Sequence, residues 1–307
     1  MKRGIFMLLY QCADEFLTDC TIRRLTPKTI QGYKVNTTIF LRAMESYELI
    51  DVSEINMTHV KRFIFDMTKS GAKGTYINNV LKVVKVFLQY CNDEGYTKFD
   101  PKPKWKWVKE EKPLIRAFSV DDANRLINYF RGSNYTDLRN KAIIMVLLDT
   151  GIRCNELCSI MPDDVKDDYI VIVNAKNRKQ RAVAITPIVK KALLRYERAK
   201  ESYYNPYRAK YADNYFLSFH GRAMTVSAVE NVLKEAGKGI KDVRVSPHTC
   251  RHFFAQQQLK MGTDVYTISR LLGHESIAVT QIYLDSFRDE DIVNKAKNRS
   301  VLMNMNK

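Results

Sequence analysis

Along residues 5–95 apolar side chains return every three or four positions with polar ones between them, the period of amphipathic helices. The apolar run from Ile5 to Tyr10 gives way to Asp14 and Glu15, so it reads as the opening turns of a helix. Thr26-Pro27 is a cap followed by proline at the first helical position, and Ile30, Tyr33, Ile39, Phe40 and Leu41 then recur at roughly helical spacing. A third helix is expected over 58–69, stopping at Gly71, and a fourth over 76–92, with Gly95 just past its end.

The pattern breaks at 97–118. Pro101, Pro103 and Pro113 exclude regular structure, and Lys98, Lys102, Lys104, Lys106, Lys109, Lys112 and Arg116 face only three acids, which predicts an extended basic linker. Trp105 and Trp107 within it are expected to pack against protein. Ser119 caps a helix over 120–130, and a strongly apolar helix over 141–148 ends at Gly151. Residues 169–173 and 181–185 are β-branched runs around a polar turn, a hairpin. Further helices are expected near 187–202, 225–238, 246–261, 264–272 and 276–284, with a last amphipathic segment over 289–299. The chain therefore divides into a helical part at 1–97, the linker at 98–118 and a mainly helical part with one small sheet at 119–307.

Charge narrows the class. The 307 residues carry 50 Lys and Arg against 34 Asp and Glu, a net +16, which favours polyanionic partners. No run reaches the roughly 18 apolar residues of a membrane span, and no signal peptide is expected at the start. The six cysteines form no CxxC or Cys/His zinc spacing and read as reduced thiols, so the expected location is the cytoplasm.

Several polar residues fall where folding alone does not ask for them. Arg153 follows Thr150-Gly151-Ile152, and Lys176 sits in the hairpin turn with Arg178 and Lys179 as close rivals. His248 and Arg251 lie three apart behind Ser246-Pro247, on one face of a helix's first turns, where anions are favoured. His274 follows Gly273, and Tyr283 comes nine residues later. Such a set suits attack on a phosphodiester. Arginines clamp non-bridging oxygens, histidines bond the phosphate and handle a proton, a lysine protonates the leaving oxygen and a tyrosine forms a covalent phosphoester. No acidic cluster suited to two metal ions appears, so no metal and no cofactor is expected.

Thr150-Gly-Ile-Arg-Cys-Asn-Glu-Leu157, His248-Thr-Cys-Arg-His252 and Leu272-Gly-His274 with Thr280-Gln-Ile-Tyr283 resemble, in order and spacing, the three boxes of the tyrosine recombinase (phage integrase) family. The helical first part resembles an Xer-like core-binding domain. The resemblance implies a two-domain clamp, mainly α with a small antiparallel β-sheet, closing on double-stranded DNA. It implies that Arg153 and Arg251 bind the scissile phosphate, that His248 moves a proton and that His274 bonds a non-bridging oxygen. Lys176 becomes the general acid, Tyr283 the nucleophile of a 3′-phosphotyrosine intermediate, and Glu156 a supporting acid where a plain ion pair is the alternative. His252 reads as a packed supporting histidine; Lys102, Lys104, Lys106, Arg178 and Lys179 read as DNA contacts. Inverted half-sites and a homotetramer on DNA are implied, with Ile292, Val293, Ala296 and Val301 docking on a neighbour or packing in cis. Integration, excision, inversion and resolution stay open, as do type IB topoisomerase-like relaxation and a non-catalytic DNA-binding regulator.

Overall fold

The computed structural model describes residues 8–110, 118–173, 180–204, 211–241, 243–274 and 276–282, and it divides into two compact units, Met1–Pro113 and Leu114–Lys307. In the first, helices α1 (Leu9–Ile22), α2 (Pro27–Ser46), α3 (Met57–Lys69) and α4 (Gly74–Asp93) enclose one core around Phe16, Phe40, Leu81 and Phe87. Phe16 is fully buried and meets Tyr33, Phe87 and Tyr90 at ring distances of 5.4–5.6 Å. Each such side chain contributes about 1.5–3 kcal/mol by leaving water. The cap read at Thr26 is present: its hydroxyl accepts from the Thr29 N–H at 3.2 Å.

The basic stretch continues this unit as far as residue 110. Asn78 on α4 is 3% exposed and takes both backbone groups of Val108: its Nδ2 donates to the carbonyl at 2.8 Å and its Oδ1 accepts from the N–H at 2.9 Å. Trp105 packs on the same core, whereas Trp107 stays half exposed beside it, with the Lys85 ammonium 5.9 Å from both rings.

The second unit holds α5 (Val120–Ile127), α6 (Tyr135–Thr150), α7 (Cys154–Cys158), the hairpin β1 (Tyr169–Val173) and β2 (Gln180–Ala184), then α8 (Pro187–Tyr203), α9 (Val226–Ala236), α10 (Pro247–Lys260), α11 (Val265–Leu272) and α12 (Ile277–Gln281). The strands pair antiparallel, Tyr169 opposite Ala184 and Val173 opposite Gln180. Helix α6 is apolar and buried on every side from Ala142 to Leu148 and runs through the middle of the core, packed by α8 and α10. It starts six residues before the expected 141 because Arg139 and Asn140 are polar yet buried. The Arg139 guanidinium donates to Asn140 Oδ1 and to the distant Leu217 carbonyl, so a locally polar stretch lies inside. Helix α5 ends at Ile127, short of the expected 130. Among the described residues no helix is long and apolar enough to cross a membrane.

Candidate active site

Four helix ends meet in the second unit. Helix α6 ends on Gly151, whose φ of 60° is left-handed; a Cβ there would stand 2.5 Å from Phe254 and 2.8 Å from Leu272, so only glycine fits. The tight exit delivers Arg153 to the N-terminus of α7. Glu156, three residues on, reaches back and accepts from the Arg153 N–H at 2.7 Å. On α10, Ser246 caps the Thr249 N–H and Pro247 opens the helix, which sets His248 and Arg251 one turn apart. Helix α11 ends on Gly273, again left-handed with φ of 66°, and presents His274.

These ends are tied by charge. Arg251 is 4% exposed and donates to the carbonyls of Gly151 at 2.8 Å and Leu272 at 2.7 Å. Arg153 is more open; its Nη2 donates to the Gly273 carbonyl at 2.9 Å and its Nη1 to Glu156 Oε1 at 3.1 Å. Burial alone would raise the Glu156 carboxyl. Hydrogen bonds from Arg181 and the Arg153 backbone, with the charges of both guanidiniums, outweigh it and hold the carboxyl below its usual range. Glu156 thus accepts four bonds, two from Arg153 and two from Arg181.

His274 Nδ1 lies 2.7 Å from the buried Thr280 hydroxyl of α12, which fixes its ring. Burial, followed by the positive charges of Arg251, Arg153 and Arg181 and by His248, pushes its imidazole down to about 4. Burial and Arg251 lower His248 as well. His252 packs edge-on to His248, ring centroids 4.1 Å apart, and burial, followed by His248 and the Arg251 guanidinium, takes it to about 4. All three imidazoles are therefore neutral at pH 7, able to accept a proton or to bond an anion. An open pocket of about 430 Å³ runs past Arg153, His248 and Arg251, rimmed by Arg244, Glu230 and Ser246.

The structure thus brings together Arg153, Glu156, His248, Arg251, His252 and His274. Lys102 and Lys106 are exposed on the first unit, and Lys102 opens and Lys104 closes a single turn of 3-10 helix, Lys102–Lys104. Lys176, Arg178, Lys179 and Tyr283, and the docking positions Ile292, Val293, Ala296 and Val301, lie outside the described residues. Arg181 and Arg244 were not among the sequence candidates. Arg244 carries no local signal. Arg181 does: it alternates with Val183 onto the inward face of β2, and an arginine on a core-facing position asks for a partner.

A mainly helical catalytic unit with one hairpin, whose helix ends gather two arginines and neutral histidines around a pocket, defines a class of DNA strand transferases. Residues 116–290, more than half of the chain, match the phage integrase family, and the chain belongs to that family as an Xer-like tyrosine recombinase, a site-specific recombination enzyme. It is 27% identical over 258 residues to the tyrosine recombinase XerC of Thermodesulfovibrio yellowstonii, covering 83% of this chain and 84% of that one. It is 28% identical over 277 residues to the tyrosine recombinase XerD of Listeria monocytogenes, covering 88% and 92%. Among solved structures, the XerH recombinase bound to palindromic difH substrate in a post-cleavage complex superposes with a TM-score of 0.71 at 17% identity, covering 96% of this chain and 85% of that one. A lambda integrase dimer bound to a COC′ core site gives 0.71 at 15% identity, covering 91% and 96%. These last two likenesses are of fold.

Proposed function

We propose that the chain cleaves and rejoins double-stranded DNA at inverted half-sites through a phosphotyrosine at Tyr283. The observation that carries this reading is that Arg153, Arg251 and His248 line one open pocket, with both arginines also bonded to the end of α11 that presents His274. Arg153 and Arg251 hold the non-bridging oxygens of the scissile phosphate with planar, paired donors, and His274 adds a further bond. The Tyr283 oxygen attacks phosphorus while His248, neutral at pH 7, takes its proton. The bond from phosphorus to the 5′-oxygen breaks, Lys176 supplies the proton to that oxygen, and the 3′-phosphate stays on the tyrosine. Attack by the 5′-hydroxyl of another strand reverses each step, so no nucleotide energy is consumed. The first unit and the basic stretch through Lys102, Lys104 and Lys106 bind the duplex, Arg178 and Lys179 contact it too, and four copies assemble on paired sites. Unpaired thiols at all six cysteines suit a cytoplasmic setting.

The test starts from the duplex that the wild-type protein selects out of a random-sequence pool, rebuilt with a nick that traps cleavage. Wild type should give an SDS-resistant adduct. Tyr283→Phe keeps the ring and loses the nucleophilic oxygen, so it should bind the duplex equally well and give none. An adduct with the phenylalanine variant overturns the assignment.

A further inference from the structure

We infer that Arg181, on the second strand of the hairpin, is a positioning residue that sets the phosphate-binding arginine Arg153; this rests on the function proposed above. Its side chain is 14% exposed and its donors are used in two directions. Nη1 and Nη2 grip the two oxygens of Glu156 at 2.8 and 2.7 Å, a paired fork, and Nε donates to the Leu271 carbonyl at 2.9 Å. The guanidinium lies against Gly273: a Cβ on that residue would stand 2.9 Å from Nη1 and 3.1 Å from Cζ. Arg181 is thus wedged between the N-terminal turn of α7 and the C-terminal end of α11.

The end of α11 explains why an arginine belongs there. A helix leaves its last carbonyls without intrahelical donors, and its C-terminus carries partial negative charge. Three successive carbonyls are taken by three different arginines: Leu271 by Arg181, Leu272 by Arg251 and Gly273 by Arg153. Arg181 and Arg153 also share the Glu156 carboxylate. Both anchors of Arg153, the carboxylate and the α11 terminus, are therefore anchors of Arg181. Removing Arg181 takes two charge-assisted bonds from Glu156, frees that carboxylate to turn and lets Arg153 shift. A clamp that must meet developing charge at hydrogen-bond distance loses rate steeply with such a shift.

A role confined to folding predicts something different, and two substrates separate the possibilities. Adduct formation is followed under single-turnover, saturating conditions on the nicked duplex and on the same duplex with a methylphosphonate at the scissile position. The methylphosphonate lacks one charged non-bridging oxygen and so gives a displaced Arg153 less to lose. Arg181→Met should slow the natural duplex by about 10–100-fold, with DNA affinity unchanged. On the methylphosphonate its rate relative to wild type should recover to within a few-fold, as for Arg153→Ala. Arg181→Lys keeps the charge without the fork and should stay closer to Arg181→Met than to wild type. It also supplies the reading if the methionine variant does not fold. Equal slowing on both substrates, or no slowing on the natural one, overturns the inference. No adduct from wild type on any selected duplex overturns the recombinase mechanism itself, and this inference with it.

Discussion

Glu156→Gln should cost the catalytic unit both stability and rate, and the size of the loss follows from what the carboxylate holds. The side chain is 8% exposed and every bond it accepts comes from an arginine. Glutamine keeps the shape, removes the charge and turns one acceptor into a donor that faces donors. Breaking a buried pair by removing one partner costs about 3–5 kcal/mol. The Arg153 side chain, 41% exposed, adds little of this, so the expected loss rests on Arg181 and falls to about 2–4 kcal/mol. For a unit of this size that is a drop in melting temperature of roughly 4–16 °C. Scanning calorimetry at neutral pH reads it directly. The sign of the pH dependence is fixed as well. A carboxyl held below its usual range contributes stability above its unfolded pKa and loses it as pH falls through the folded one. Wild-type and variant melting temperatures should therefore converge in acid. Replacing both partners, Glu156→Leu with Arg181→Met, should recover part of the stability and none of the cleavage, since Arg153 still lacks its anchor. A Glu156→Gln protein that melts with wild type at neutral pH refutes the reasoning.

Arg153→Lys should bind DNA yet form adduct about 10²–10³-fold more slowly, because a lysine keeps the charge and loses the planar fork; near-normal cleavage would show that charge alone matters. His252 and His274 titrate at about 4 in the folded chain and near 6.5 when unfolded. Between those values the unfolded chain binds more protons, so the melting temperature should fall as pH drops from about 7 toward 4, and a flat profile there would contradict the burial argued for these rings. Neutralising Lys102, Lys104 and Lys106 together should flatten the dependence of log affinity on log salt by about 0.9 for each DNA phosphate these lysines neutralise, read by fluorescence anisotropy; an unchanged slope means they do not touch DNA.

How much of this was legible in the sequence depends on where each residue gets its structure. Helices opened by Thr26-Pro27, Ser119 and Ser246-Pro247 could be placed because a cap acts within one turn, and the hairpin because alternation is local. The start of α6 could not, since Arg139 is satisfied by a carbonyl 78 residues away and reads as surface until that partner is known. Helix α7, at five residues, is too short to show a period. The site follows the same division. Arg153, His248, Arg251 and His274 sit at helix ends, where glycine and proline punctuate the chain, so the same residues that stop and start helices flag the chemistry. A helix end leaves backbone donors or acceptors open, and these can fix charged side chains: α11 does so for three arginines with three successive carbonyls. Arg181 belongs to this arrangement but stands mid-strand, with one partner 25 residues earlier and another 90 residues later. Nothing within a turn of it names either one. Its sole local trace is an arginine on the inward face of a strand, and that trace states a need for a partner without saying which.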